Sequence, residues 1–369
     1  MDTTANKPQE TKYMQIYESL KNAISTGVYK TGQRLPSEVA LGEQFQASRI
    51  TVAKALAELR DQGLITRRAG SGSYVSSGPT EKRMVFGLII PELGRTEIFE
   101  PICQAIANTQ PEREHSLMWG SALNENPREE QVMSLARQYL SNKVDGVFFA
   151  PLVLTREGDA VDQAIAEMFF KARIPLILLD RDITRFPSRS DFDLIGIDNR
   201  RAGFVLTEHL IQQGCNRIQF VGRPNYASSV DARVAGYREG IRSYQRAVFE
   251  EGIWQIQPTD VDVVRELYSR DKPDGLVCDN DFTAASLMKT LLGLGIRIPE
   301  DLLMVGVDDV KYASLLQVPL TTFHQPCRDL GEAAIRAMFE RVRHPEAAPR
   351  EILLKGRLVI RKSSAAKSA

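Results

Sequence analysis

The segment DGLVCDNDFTAASLM, residues 274–288, sets the pattern for most of this chain. Gly275 to Cys278 is a short apolar run that ends among acids and an amide, and helical spacing follows from Thr283 to Leu294. A strand covered on both faces reads as a continuous apolar run rather than an alternation, so the segment predicts a parallel strand feeding a helix. Asn280 and Asp281 then fall at the strand's carboxyl end, where open α/β sheets hold their ligands.

Working outward, the same unit recurs. A helix at Ala202 to Gln213, a strand at Ile218 to Gly222 and a helix at Val230 to Tyr244 precede it, and a strand at Leu303 to Val307 follows. An earlier series runs from the strand Val85 to Ile90 through a helix near Pro101 to Thr109, and from Ser116 to Met118 through the helix Glu129 to Leu140. Val144 to Ala150, the helix Val161 to Lys171 and Leu176 to Leu179 complete it. Two such series predict an α/β body of two doubly wound parallel sheets, with Asp180, Asp308 and Asp309 at further strand ends. The expected body is 84–362, with lobe 1 at 84–194 plus 325–350, lobe 2 at 195–324 plus 351–362, and a tail at 363–369.

The first eighty residues read differently. Tyr13, Ile16, Tyr17, Leu20 and Ile24 form a helical stripe that Gly27 closes. Ser37 is placed to cap a second helix carrying Val39, Leu41 and Phe45, and Ser48 a third whose inner face is Val52, Ala55, Leu56 and Leu59. A hairpin follows, Leu64 to Arg68 and Ser73 to Val75 around Ala69-Gly70-Ser71-Gly72. Three helices and a basic, glycine-tipped hairpin describe a winged helix-turn-helix over 9–75, after a disordered tail at 1–8. Its third helix would offer Arg49 and Thr51 to base edges and the helix start at Ser48 to a phosphate. Arg67 and Arg68 would lie along the backbone with the wing tip, Gly70 to Gly72, whose glycines permit close approach. Winged helices also serve as protein-interaction modules, but here the charge excess falls on the third helix and wing. Residues 76–83 read as a linker spanning at most ~28 Å.

Charge supports the division. The 369 residues hold 47 basic and 47 acidic side chains, a balance that taken whole argues against nucleic-acid binding. Residues 1–80, however, hold ten Lys/Arg against seven Asp/Glu, so +3 sits on the head and −3 on the rest. The polar N-terminal stretch has no secretory h-region and no apolar run approaches a membrane span, which predicts a cytoplasmic protein. Cys103, Cys215, Cys278 and Cys327 lack CxxC spacing, and the lone HxxC of His324 and Cys327 is a weak metal motif. No P-loop, nucleophile elbow or HExxH helix is present, so no enzyme, metal or cofactor is expected.

The head, YMQIYESLKNAISTGVYKTGQRLPSEVALGEQFQASRITVAKALAELRDQGLITRRAGSGSYV, resembles the DNA-binding domain of the gluconate-repressor (GntR) superfamily through its LPSE, SRxTV and GLIxRRxGxGxxV segments. The resemblance implies DNA contacts from Arg34, Ser37, Glu38, Ser48, Arg49, Thr51 and wing residues Gly70, Ser71 and Gly72. Two positions depart: family members often carry Arg where this chain has Val39 and Ala53, so the operator sequence does not carry over, and Lys54 need not replace either.

The body resembles the effector domain of the lactose-repressor (LacI) family, akin to periplasmic sugar-binding proteins. IPLILLDR, HLIQQGCNRIQFVG, DARVAGYREGI, DGLVCDNDFTAASLM, GIRIPEDLLMVGVDD and PLTTFHQPCRDLGEAA carry it, in order. A GntR-type head on a LacI-type body is similar to the arabinose-repressor subgroup of Bacillus-type bacteria. One departure is NTQPEREH, residues 108–115, where the family usually has a glycine closing the first helix. The resemblance implies ligand contacts at Asp180, Ser229, Arg233, Asn280, Asp308 and Gln325, with Arg233 and Asp308 sharing ring hydroxyls. Such groups suit a sugar, since vicinal hydroxyls both donate and accept and match planar bidentate partners. Phe99, in the first strand–helix loop, and Trp254 would supply apolar faces for its C–H groups.

The expectation is therefore a homodimeric regulator with no cofactor, most simply a repressor of carbohydrate-utilisation genes released from a pseudo-palindromic operator by a small sugar such as arabinose. A purine-like effector or an activator role stays open. A transporter's solute-binding protein would leave the winged helix unexplained, and an enzyme would need a catalytic constellation.

Overall fold

A computed structural model of the chain describes residues 12–68, 71–76, 83–90, 97–111, 114–120, 128–152, 156–225, 227–244 and 252–365. The chain divides into two compact units, Met1–Arg83 and Met84–Ala369. The expected tail at 1–8, most of the linker and the wing-tip Gly70 lie outside the described residues.

In the first unit, α1 (Lys12–Ser25), α2 (Glu38–Gln44) and α3 (Arg49–Asp61) precede the antiparallel pair β1 (Ile65–Arg68) and β2 (Gly72–Val75). Ile16, Leu20, Leu35, Leu41, Val52, Leu56, Leu59 and Ile65 are buried together, so the helical stripes read from the sequence converge on one core. Ser37 and Ser48 cap α2 and α3, accepting from the backbone N–H of Ala40 and Thr51. Each satisfies a donor that the helix start would leave unpaired. Val39 departs from expectation: it is 62% exposed, because it lies across α2 from the buried Leu41.

The second unit holds two six-stranded sheets. The chain first runs β3 (Met84–Ile89), α4 (Phe99–Asn108), β4 (His115–Trp119), α5 (Arg128–Ser141), β5 (Gly146–Phe149), α6 (Arg156–Lys171), β6 (Leu176–Leu179) and β7 (Asp193–Ile197). It then crosses to α7 (Asn199–Gln212), β8 (Ile218–Gly222), α8 (Ser228–Ser243), β9 (Ile253–Gln255), α9 (Val261–Asp271), β10 (Gly275–Cys278), α10 (Asp281–Gly293), β11 (Leu303–Asp308) and β12 (Thr321–His324). Finally α11 (Cys327–Arg343) and β13 (Glu351–Leu354) return to the first sheet, and β14 (Arg357–Val359) to the second. The orders are β13-β7-β6-β5-β3-β4 and β14-β12-β11-β10-β8-β9, parallel throughout except for β14 against β12.

The exchange points differ from expectation at two places. Lobe 1 keeps β7, so the first crossing follows Ile197, and it also keeps β13, which pairs with β7 from Glu351↔Leu194 to Leu354↔Ile197. The cause is Asp193, whose buried carboxylate accepts from the Arg341 guanidinium at 3.0 and 2.9 Å and from the Arg350 backbone N–H at 2.7 Å. That ion pair ties α11 and the start of β13 to β7. The expected tail is also partly structured. Ser363 and Ser364 are buried, Ser363 donating to the Met304 carbonyl at 2.6 Å and Ser364 lying 2.7 Å from His209 Nε2. Burial in turn pulls the His209 pKa below its ordinary value.

Both faces of each sheet are covered. One cluster joins Phe86, Phe148, Ile177 and Ile335 of lobe 1 to Leu206, Phe220, Val234 and Val305 of lobe 2. Separate clusters pack α5 and α6 on the first sheet and α9 and α10 on the second. Between α7 and α8 two glycines set the distance: a Cβ on Gly203 would meet the Arg233 carbonyl oxygen at 2.0 Å, and one on Gly236 the Arg200 carbonyl oxygen at 1.8 Å. Only hydrogen atoms fit there, so the two helices pack backbone to backbone.

Candidate nucleic-acid interface and ligand site

In the first unit, Arg49 heads α3 immediately after its cap, and Ser48 Oγ and Thr51 Oγ1 lie 2.8 Å apart beside it. Glu38, at the start of α2, accepts from Arg67 of the wing at 2.8 Å and approaches Arg49 at 3.4 Å. A carboxylate bridging two guanidiniums would repel a phosphate by itself. Its geometry therefore suits orienting Arg49 and Arg67, whose side chains are 80% and 60% exposed. Arg34 bridges to Tyr74 along the backbone, and its guanidinium lies under Gly72, which has φ +109°. Arg68 stacks over the Tyr74 ring at 4.7 Å, and Ser71 Oγ lies 2.6 Å from the Tyr74 hydroxyl. Ser37 is committed to its cap. The structure thus brings Arg34, Glu38, Ser48, Arg49, Thr51, Arg67, Arg68, Ser71 and Gly72 into one small domain. Lys54 lies over the Tyr13 ring at 4.9 Å.

In the second unit, the close α7–α8 packing places Arg233 of α8 against Asn199 at the start of α7. The buried Arg233 donates through Nε to Asn199 Oδ1 at 2.8 Å and through Nη1 to the Asp279 carbonyl. Asp308, ending β11, accepts at 2.7 Å from the amide of the buried Gln325, which follows β12. Burial pushes the Asp308 carboxyl up to about 7. The charges of Asp180 and Asp279 push the same way, while Arg233 and the Gln325 amide oppose them. Asp180, after β6 of lobe 1, and Asp308 of lobe 2 therefore share one polar site. Both have positive φ, +71° and +122°, as does Asp309 at +57°. L side chains enter that region rarely, and a cluster of such residues marks a place where local strain is tolerated.

The remaining expected ligands fare unequally. Ser229 is buried in the first turn of α8, one turn before Arg233. Asn280 is the N-cap of α10, its Oδ1 accepting from the Thr283 N–H at 2.9 Å, which leaves its amide nitrogen as a donor. Asp281, also placed at that strand end, is buried between β12 and the residues after β11, accepting from the Thr322 hydroxyl at 2.6 Å and the Val310 N–H at 3.1 Å. Asp309, next to Asp308, accepts from Arg361 at 2.6 Å and lies 2.9 Å from His324 Nδ1, which occupies the histidine of the HxxC motif. Phe99 is not in a loop but opens α4, buried in the main apolar cluster. Trp254 lies on the α9 face of the edge strand β9, packed with the Val264 cluster and covered by Arg270 at 4.4 Å. It belongs to the outer layer of lobe 2 because α9, unread in the sequence, needs a surface there. Arg181 pairs with Asp180 at 3.1 Å and donates to the Pro151 carbonyl.

Three residues at the site were missed: Asn199, Asp279 and Arg223, whose N–H donates to Asp279 Oδ2 at 3.2 Å. Asp279 had a signal, as the first acid after an apolar run. Asn199 had none, because its role depends on how closely α7 meets α8. Among the described residues no disulfide links the cysteines, no cluster of metal-ligating side chains occurs, and no helix is long and apolar enough to cross a membrane.

The first unit is folded as a winged-helix head and the second as a two-lobed, periplasmic-binding-protein-like body. Residues 12–75 match the family of bacterial regulatory proteins described as the gntR family, and residues 207–364 match the periplasmic binding protein-like domain. Along its length the chain is similar to the arabinose metabolism transcriptional repressor of Geobacillus stearothermophilus, 27% identical over 367 residues, 96% of this chain and 97% of that protein. It is also similar to the HTH-type transcriptional repressor PurR of Vibrio vulnificus, 29% identical over 230 residues, 61% of this chain and 66% of the relative. Among solved structures, the transcription regulator GntR from Chromobacterium violaceum superposes with a TM-score of 0.61 at 25% identity, covering 76% of this chain and 99% of its own.

Proposed function

We infer that this protein is a ligand-responsive, DNA-binding transcription regulator: a cytoplasmic, homodimeric repressor of carbohydrate-utilisation genes that a small sugar releases from a pseudo-palindromic operator. The observation that carries the reading is the buried polar cluster in which Arg233 binds Asn199 and the Asp279 carbonyl while Asp308 accepts from Gln325 and feels the charges of Arg233 and Asp180, in a chain whose other unit matches the gntR family. A buried guanidinium beside carboxylates and an amide offers both donors and acceptors to adjacent hydroxyls, with little net charge to attract a phosphate. The whole-length similarity to an arabinose metabolism repressor favours a pentose as effector. Sugar binding would draw the lobes together about the three crossings between them, a hinge motion. Release of DNA by a factor of ten requires ~1.4 kcal/mol of coupling between the sites.

A thermal-shift screen against pentoses, hexoses, their phosphates and purines tests the effector. A ligand at a hundred times its Kd adds ~2.7 kcal/mol of stability. A shift with a pentose that disappears in Arg233→Ala, while operator retardation persists, is the expected result. A shift with purines alone would overturn the sugar reading. In the complementary experiment, Arg49→Ala weakens operator retardation and leaves the effector's thermal shift unchanged.

A further inference from the structure

Among the described residues of the head, four large apolar side chains are exposed, Met14, Val28, Val39 and Ile50, and two of them stand at the starts of α2 and α3, whose first residues are Glu38 and Arg49: Ile50 is 83% exposed and Val39 is 62% exposed. Their placement follows from helix geometry. Each stands two residues before a fully buried one, Ile50 before Val52 and Val39 before Leu41. Two residues turn an α-helix by about 200°, so both side chains point directly away from the core. Both lie in the first turn of their helices, and Glu38 bonded to Arg67 and close to Arg49 binds those two helix starts and the wing together. Along α3 the outward row continues with Ala53 and Lys54, but Lys54 is drawn over the Tyr13 ring. Beside the exposed guanidiniums of Arg49 and Arg67, which Glu38 holds together, the starts of α3 and α2 thus each present one aliphatic side chain outward.

We propose that Ile50 and Val39 are specificity-determining residues that read thymine methyl groups in the major groove of the operator. The claim rests on the reading of the head as DNA-binding. The cations say what covers this apolar patch: guanidiniums flanking an aliphatic surface at a helix start fit a polyanion whose groove displays apolar groups. The thymine C5-methyl is the apolar group that a base pair presents there. An aliphatic side chain makes no hydrogen bond to a guanine edge, so the half-site centres on A·T pairs under the starts of α3 and α2, with phosphates held by the surrounding Arg and Ser groups.

The test starts by selecting duplexes from a random pool with the full-length protein, then replacing each thymine of the enriched half-site by deoxyuridine, which removes only the methyl. At one or more thymines the replacement weakens binding about fourfold, the factor for losing one buried methyl. Ile50→Ala loses a similar factor on the thymine duplex and nothing more on the deoxyuridine duplex. Val39→Ala behaves the same way at a second position, and both variants melt with the wild type because neither side chain is in the core. Losses that simply add, or a half-site indifferent to every methyl, overturn the proposal. So does an Ile50→Ala variant that changes only self-association or protein binding. Failure to enrich any sequence would instead overturn the DNA-binding reading itself.

Discussion

Asp308 combines a burial-raised carboxyl, a positive φ and a direct bond from Gln325. With its pKa pushed up to about 7, it changes charge across the neutral range. A sugar hydroxyl that donates to the carboxylate favours the charged form, so binding should release a proton. Effector affinity should then rise with pH, by about tenfold per unit below the pKa, and level off above it. Calorimetry in buffers of different ionisation enthalpy measures the proton, and Asp308→Asn should flatten the profile. A flat wild-type profile would remove the carboxylate from the contact. Asp180 and Asp308 were legible as acids placed just after apolar runs. The positions of Arg233, Ser229 and Gln325 came from family resemblance. Trp254 misled because an aromatic near a strand reads the same whether it faces a ligand or an adjoining helix, and only the unread α9 decides between them.

The pairing of α7 with α8 shows how packing builds the site. Arg233 reaches Asn199 and the Asp279 carbonyl because Gly203 and Gly236 let the two backbones touch. Gly236→Ala would place a methyl against the Arg200 carbonyl oxygen, and relief by overpacking typically costs about 1–3 kcal/mol. Its expected signature is a lowered melting temperature together with a weakened effector response, while operator binding survives at permissive temperature. Gly293→Ala is the control: nothing lies within 4 Å of its Cβ position, so the melt should hold or improve. The buried strands β6, β8 and β10 fall where the sequence puts them, since strands covered on both faces must be continuously apolar. The short edge strand β9, and β13 with its alternating burial, lack that signature. Nothing local in Gly203 or Gly236 announces which backbone will lie against it.

At the scale of the whole molecule, a head and a body of opposite net charge divide the labour, and the balance of 47 against 47 conceals it. If effector and operator are linked, thermodynamics makes the linkage symmetrical. A sugar that weakens operator binding by a given factor must itself be bound more weakly, by the same factor, when operator is present. Titrating effector into protein with and without a saturating operator duplex checks this, and equal affinities would mean the two sites are uncoupled. The three crossings between lobes also bear on how the chain reaches this form. The Asp193–Arg350 contact in lobe 1 joins residues 157 apart, with nearly all of lobe 2 between them. Closing a loop of that length from an open chain is entropically slow, whereas prior collapse of the intervening residues shortens the search. Lobe 2 should therefore gain its structure early in refolding, with the β7–β13 edge of lobe 1 closing last. Pulse-labelling hydrogen exchange would then find the amides of β13 among the latest to become protected.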